Sequence, residues 1–278
     1  MSSDAKNSHF ARLRRQFRDQ QTRIKNHNHK KICHDSQLKD NEIWLYGLHT
    51  VEYALKNPNR KIIELLLTKN AENKIKEKID LNNIDYKNIS INEINKYVGE
   101  QAVHQGVLMK TLPLKPMELN KCKNNDLILL LDQITDPHNV GAIIRSAVAL
   151  KVDSIITTHK HSAHESAVLA KSASGALELI NYVTVKNLSQ AILELKEAGF
   201  FIIGLDSEGE QSIEEIIEGN KIALVLGSEG KGLRHKTKLN VSKLAKLEMP
   251  GEIKSLNVSN AAALSIYITR NYLNRKLT

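Results

Sequence analysis

Apolar residues recur along this chain in two registers, and the register changes near its middle. From Glu42 to about Leu114, short apolar runs alternate with helical periodicity. Val51–Leu55 reads as helical, Ile62–Leu67 as a strand, Lys74–Ile79 and Ile91–Val98 as helical, and Gly106–Met109 as extended. Pro113, Pro116 and the polar stretch Asn120–Asn125 then interrupt the pattern and predict a hinge at 113–125. Beyond it the alternation is cleaner. Strands are expected at Leu127–Leu131, Ser154–Thr157, Tyr182–Val185, Phe201–Leu205, Lys221–Leu226 and around Leu247, with helical segments between them. Apolar strands alternating with helices predict an α/β fold with a mostly parallel sheet covered on both faces. In such sheets ligands bind at the carboxyl ends of the strands.

Composition narrows the class. With 278 residues and 41% hydrophobic residues the chain can bury a core. Cys33 and Cys122 are too few for a disulfide framework or a cysteine zinc site, which favours a reducing, cytoplasmic setting. The longest aliphatic runs reach about a quarter of a membrane span, so no membrane partner is expected. His159, His161 and His164, and His27 with His29, Cys33 and His34, fit no zinc spacing, and no metal is expected. Charge is uneven: nine Lys/Arg against Asp4 and Asp19 give residues 1–31 a charge of +7 out of the net +9. Residues 1–40 are therefore read as a basic flexible extension suited to a polyanion. A solubilising tail without a partner is the plain alternative.

Three segments follow the first, fifth and last strands of the second half. Asp136-Pro137-His138-Asn139-Val140-Gly141 leads into a helix carrying Arg145, and Asn139 suits the position of helix cap. A guanidinium fork at a strand-helix junction fits phosphate or a developing oxyanion. Gly227-Ser228-Glu229-Gly230-Lys231-Gly232 resembles a phosphate cradle but fails the spacing, and Leu233 stands where a P-loop needs Ser or Thr. Ser255-Leu256-Asn257-Val258-Ser259 places polar side chains at the mouth of the small-residue helix Ala261–Tyr272. Each loop alone could be a turn or a cap. Together they predict one site, in which Ser255, Asn257 and Glu229 face a polar substrate and glycine-exposed backbone grips a flat ligand edge.

In order, spacing and content, Asp136–Arg145, Leu226–Arg234 and Met249–Ala262 resemble the SpoU, or TrmH, ribose 2'-O-methyltransferases of the SPOUT superfamily. Leu45-Tyr46-Gly47-Leu48-His49-Thr50-Val51-Glu52 and Val103-His104-Gln105-Gly106-Val107 look like the L30e-like substrate-binding domain of the bacterial 23S rRNA guanosine enzymes in that family. The resemblance implies an L30e-like domain at 41–112, a linker at 113–125 and a methyltransferase domain at 126–278 with a deep trefoil knot. It further implies a cytoplasmic homodimer acting on RNA. S-adenosylmethionine would be held by Gly227, Leu247, Met249 and Leu256, and Arg145, Asn139, Glu229, Ser255 and Asn257 would form the catalytic set. A guanosine of 23S rRNA is the expected target. A tRNA ribose, or a non-catalytic role in ribosome assembly with the same fold, are the alternatives. At the last strand the chain reads Leu247-Glu248-Met249-Pro250 where the family has Ile-Pro-Met.

Overall fold

A computed structural model describes residues 41–276; the basic extension expected at 1–40 lies outside the described residues. The first domain is built from β1 (Ile43–Tyr46), α1 (Leu48–Lys56), β2 (Ile62–Leu67), α2 (Lys69–Lys76), β3 (Tyr86–Asn88), α3 (Ile91–Val98) and β4 (Val107–Thr111). These strands form a mixed sheet in the order β1-β4-β2-β3. Two of its helices start where a hydroxyl can satisfy open backbone donors: Thr68 caps α2, and Ser90 with Glu93 forms a capping box on α3. The cap at Thr68 explains why α2 begins five residues earlier than the apolar spacing at Lys74 suggested.

The second domain runs β5 (Leu127–Asp132), α4 (Pro137–Ala149), β6 (Ser154–Thr158), α5 (Ala167–Ala173), β7 (Asn181–Val185), α6 (Leu188–Glu197), β8 (Phe201–Leu205), β9 (Gln211–Ser212), α7 (Ile213–Ile216), β10 (Ile222–Gly227), α8 (His235–Asn240), β11 (Lys243–Lys246) and α9 (Val258–Arg275). Its seven strands lie in the order β7-β6-β5-β10-β8-β11-β9, and every pair is parallel. This is the covered parallel sheet that the unbroken apolar runs demand; Leu127 through Leu130 are fully buried. The last strand ends before Leu247 rather than around it. Its sequence, Lys243-Leu244-Ala245-Lys246, has too few apolar residues to announce itself.

In register, Gly227 of β10 stands opposite Asp132 of β5. The carboxyl ends of these two central strands are therefore level, and the loops that follow them leave the sheet side by side.

The segment expected as a hinge packs on the second domain. Met117 N donates to Tyr182 O at 3.0 Å, and Cys122 is fully buried among Ile128, Ile156 and Leu195. One apolar cluster joins the domains, with Leu45, Leu65 and Met109 continuous with Leu129, Ile143 and Leu224.

A buried ion cluster reinforces that joint. Arg60, whose side chain is 0% exposed, donates from Nη1 to Glu165 Oε1 at 2.5 Å and to Leu112 O at 3.0 Å. Its Nη2 and Nε engage the two oxygens of Glu178 at 2.5 and 3.2 Å. Asn57 Nδ2 adds a bond to Glu178 at 2.7 Å, and Leu114 N donates to Glu165 at 2.8 Å. Burial holds the Glu165 carboxyl above its usual range, against the pull of the Arg60 guanidinium. Removing the cation would strand two carboxylates. Arg60→Met should cost about 3–5 kcal/mol in urea unfolding, whereas a loss below about 1 kcal/mol would show that the cluster is solvated.

Candidate active site

The helix after β5 begins with Asp136, not Asn139. Asp136 Oδ1 accepts from His138 N at 3.0 Å, and Pro137 takes the first helical position, where a missing N–H costs nothing. Asn139 instead sits in the first turn, with its carboxamide free to reach across the sheet. Gly141 is required beneath it: a Cβ there would lie 2.5 Å from Ser172 Cβ and 2.6 Å from Leu169 O, so only glycine lets α4 approach α5 this closely.

The second loop is tied down from below. Asp132, fully buried at the end of an otherwise apolar strand, accepts from Arg234 N at 3.1 Å, Arg234 Nε at 2.6 Å and Thr237 Oγ1 at 2.7 Å. Those bonds return the chain to the sheet after the excursion from Ser228 to Gly232, itself closed by Gly232 N donating to Ser228 O at 2.9 Å. Gly227 marks the tightest point, since a Cβ on it would meet Gly232 C at 2.2 Å and Leu233 N at 2.5 Å.

At the tip of that loop, Glu229 gathers the other two. Its Oε1 accepts from Asn139 Nδ2 at 3.1 Å, from Asn257 Nδ2 at 2.8 Å and from Val258 N at 3.2 Å. Asn257 Nδ2 also reaches Asn139 Oδ1 at 3.0 Å. Asn257 is the cap of α9, its Oδ1 accepting from Ser259 N at 2.9 Å and Ser259 Oγ at 2.5 Å. Glu229 thus supplies a full negative charge at an open helix N-terminus, where the aligned backbone dipoles favour one. The amide of Asn257 is spent on both jobs, which fixes its orientation.

The structure therefore brings Asn139, Glu229 and Asn257 into one hydrogen-bonded cluster. Arg145 lies farther along α4 with its side chain exposed, and among the described residues it has no hydrogen-bond or ion-pair partner. Ser255 and Leu256 precede the cluster and are exposed; Leu247 and Met249 lead into the same segment from β11, half-buried. Between Leu247 and Leu256 the Met249 carbonyl accepts from Lys254 Nζ at 2.8 Å. The remaining amides and carbonyls of this segment make no bond to other described backbone, and Ile253 and Leu256 are 78% and 41% exposed. Exposed backbone beside exposed apolar side chains suits a ligand with a flat, hydrogen-bonding edge. Asp132, Arg234 and Thr237 were not singled out from sequence. The available signal was an acidic residue closing the run Leu127–Leu131.

The pattern of the SpoU rRNA Methylase family matches residues 126–267, and the pattern described as RNA 2'-O ribose methyltransferase substrate binding matches residues 44–117. The 23S rRNA (guanosine-2'-O-)-methyltransferase RlmB of Haemophilus ducreyi is 34% identical over 243 residues, covering 83% of this chain and 98% of the relative. RlmB of Blochmanniella floridana is 35% identical over 246 residues, covering 83% and 96%. Among solved structures, the SpoU methyltransferase AviRb from Streptomyces viridochromogenes superimposes with a TM-score of 0.71 at 20% identity, over 85% of this chain and 91% of that one. A TrmH-family protein from Porphyromonas gingivalis gives 0.68 at 22% identity, over 84% and 91%. At these identities the structural likeness establishes the fold.

Asp132 tests how the loops are held. Asp132→Asn keeps the shape but turns an amide N–H₂ toward donors, and should lower stability by about 2–3 kcal/mol in urea unfolding. A change under about 0.5 kcal/mol would mean that the second loop holds its course without this carboxylate.

Proposed function

The chain belongs to the SpoU rRNA methylase family, and on that footing we propose that it methylates a ribose 2'-hydroxyl of 23S rRNA, at a guanosine, using S-adenosylmethionine. The observation that carries the assignment to this site is the convergence of Asn139, from the start of α4, and Asn257 with Val258 N, from the start of α9, on one carboxylate oxygen of Glu229. The relatives matched over nearly their whole length act on 23S rRNA, which favours that substrate over tRNA.

The backbone of Gly227, Leu247, Met249 and Leu256 would hold the cofactor. When bound, S-adenosylmethionine supplies a sulfonium methyl group open to in-line displacement. The protein's tasks are to align the ribose oxygen and to handle its proton. Glu229 is committed to three donors and acts by fixing Asn139 and Asn257. Ser255, exposed next to this cluster, has a free hydroxyl for the nucleotide. Arg145 cannot be the base, because a guanidinium keeps its proton in proteins. Its five donors suit the phosphate of the target nucleotide and the emerging alkoxide, and that phosphate or a water carries the proton away.

The same reading extends to architecture. The first domain, with its order β1-β4-β2-β3, is taken as L30e-like and as the RNA-gripping module. A trefoil knot is the family expectation for the second domain, and the insertion of β10 between the earlier strands β5 and β8 is compatible with it. A homodimer is supported by α9, which exposes Leu264 and Tyr267 at 48% and 56%. Among the described residues no helix is long and apolar enough to cross a membrane. The +7 charge of residues 1–31 suits an RNA-binding arm.

Ribose-methylation mapping of rRNA and tRNA from a strain lacking the gene tests the substrate. One guanosine of 23S rRNA should lose its methyl group and regain it with the wild-type gene; an unchanged 23S pattern would refute the assignment. For mechanism, Arg145→Ala should lower turnover by about 100-fold or more, and Arg145→Lys should restore little of it, because a point charge cannot reproduce the fork. Substantial turnover in the Lys variant would discard the bidentate role.

A further inference from the structure

Between the two domains runs a polar seam that none of the roles above uses. Lys171 on α5 faces the first domain, where its Nζ donates to Gln105 Oε1 at 3.2 Å. It occupies space that glycine alone leaves open: a Cβ on Gly47 would lie 2.4 Å from that nitrogen. Gln105 is held in the left-handed region at φ 56°. The two residues flanking it are joined by Gly106 N donating to His104 Nδ1 at 3.0 Å, and its own Oε1 also accepts from Leu48 N at 3.1 Å. The amide is thereby aimed at the lysine.

What sets Lys171 apart is the partner it has. It is half-buried, yet among the described residues no carboxylate lies within ion-pair distance of it. The buried cations Arg60 and Arg270, by contrast, each meet carboxylates. Burial depresses the Lys171 pKa, and burial together with the Lys171 charge depresses that of His104. An ammonium carries three donors, and a neutral amide oxygen occupies one of them. A partly desolvated, uncompensated cation is a poor device for stability and a good one for an anion that arrives later.

The seam leads to the site. Ser172, the next residue, has its Oγ 3.3 Å from His138 Nδ1, and His138 directly precedes Asn139. The close packing at Gly141 that fixes α4 against α5 also fixes Ser172 beneath His138.

We propose that Lys171 binds a backbone phosphate of the RNA where the strand passes from the first domain to the reacting ribose, with Gln105 holding the ammonium toward the seam and Ser172 and His138 continuing the path to Asn139. This rests on the RNA-methylating reading above and adds to it a positioning residue outside the three loops. The contact is to phosphate, so it contributes affinity and register rather than base choice.

The test uses the full-length protein with Lys171→Gln, Lys171→Arg and Gln105→Ala, and 23S rRNA transcribed in vitro. Binding is measured over a KCl series without cofactor, and methyl transfer is measured separately at steady state. Losing one phosphate contact should reduce the slope of log affinity against log salt by about 0.7–1 in Lys171→Gln. It should also raise KM for RNA with little change in kcat, and leave S-adenosylmethionine affinity by calorimetry unchanged. Lys171→Arg should restore the slope, and Gln105→Ala should keep the slope while weakening binding. An unchanged slope in Lys171→Gln, or no recovery with arginine, overturns the proposal, as does a Gln variant that differs only in thermal stability. Should Lys171→Gln fail to fold, a wild-type slope in Gln105→Ala with RNA binding no weaker than wild type would overturn it equally. A wild-type protein that methylates RNA while the slope ignores Lys171 sinks this inference alone. A Lys171-dependent slope without methyl transfer sinks the reading of function alone.

Discussion

One oxygen atom ties together three distant segments of this molecule. Glu229 Oε1 accepts from Asn139, Asn257 and the N-terminus of α9, groups that lie 90, 28 and 29 residues away from it along the chain. The donors come from two other segments, the start of α4 and the start of α9, so neither can drift without breaking a charge-assisted bond. The condition for this meeting lies in the sheet. Because Asp132 and Gly227 stand level in register, the first two loops start together, and the buried Asp132 carboxylate then pulls the second loop back through Arg234 and Thr237. One carboxylate holds the base of the loop and another holds its tip. Side chains held on such a scaffold gain rigidity, which the proposed role in aligning an in-line displacement would need.

Much of this was legible in sequence because burial on both faces forces unbroken apolar runs. The strand Phe201–Leu205 was bounded as it is observed, and the other central strands shifted by a residue. The exceptions have physical causes. Asp136 and Asn139 are both capable caps, and Pro137 decides between them because proline belongs at the first helical position. The strand before Leu247 is short and flanked by lysines, and it pairs at the edge of the sheet core, so its pattern carries little signal. Of the three residues expected to face a polar substrate, Asn257 and Glu229 are hydrogen-bonded to each other and Ser255 is not part of that bond. Asn257 is drawn in by capping α9, whereas Ser255 lies before the helix and stays exposed.

Contacts across long sequence separation were beyond any periodicity. Arg60 finds Glu165 and Glu178 after 105 and 118 intervening steps, and no local pattern marks a lysine-length or arginine-length gap in a future interface. Yet these pairs decide how the two domains face each other. An ion cluster sealed in the joint lies beside an apolar cluster that runs through both domains. The seam carrying Gln105, Lys171, Ser172 and His138 is the polar surface left open along that joint.

A crystal structure with S-adenosylhomocysteine bound tests the account most directly. It predicts the ligand between the Gly227–Gly232 crossing and the Leu247–Leu256 segment, held by backbone amides and carbonyls. The Asn139, Glu229 and Asn257 cluster should be intact, and the sulfur should face it. A ligand seated elsewhere, or one that displaces Glu229 from Asn139 and Asn257 to make room, would contradict the claim that this carboxylate assembles the active site.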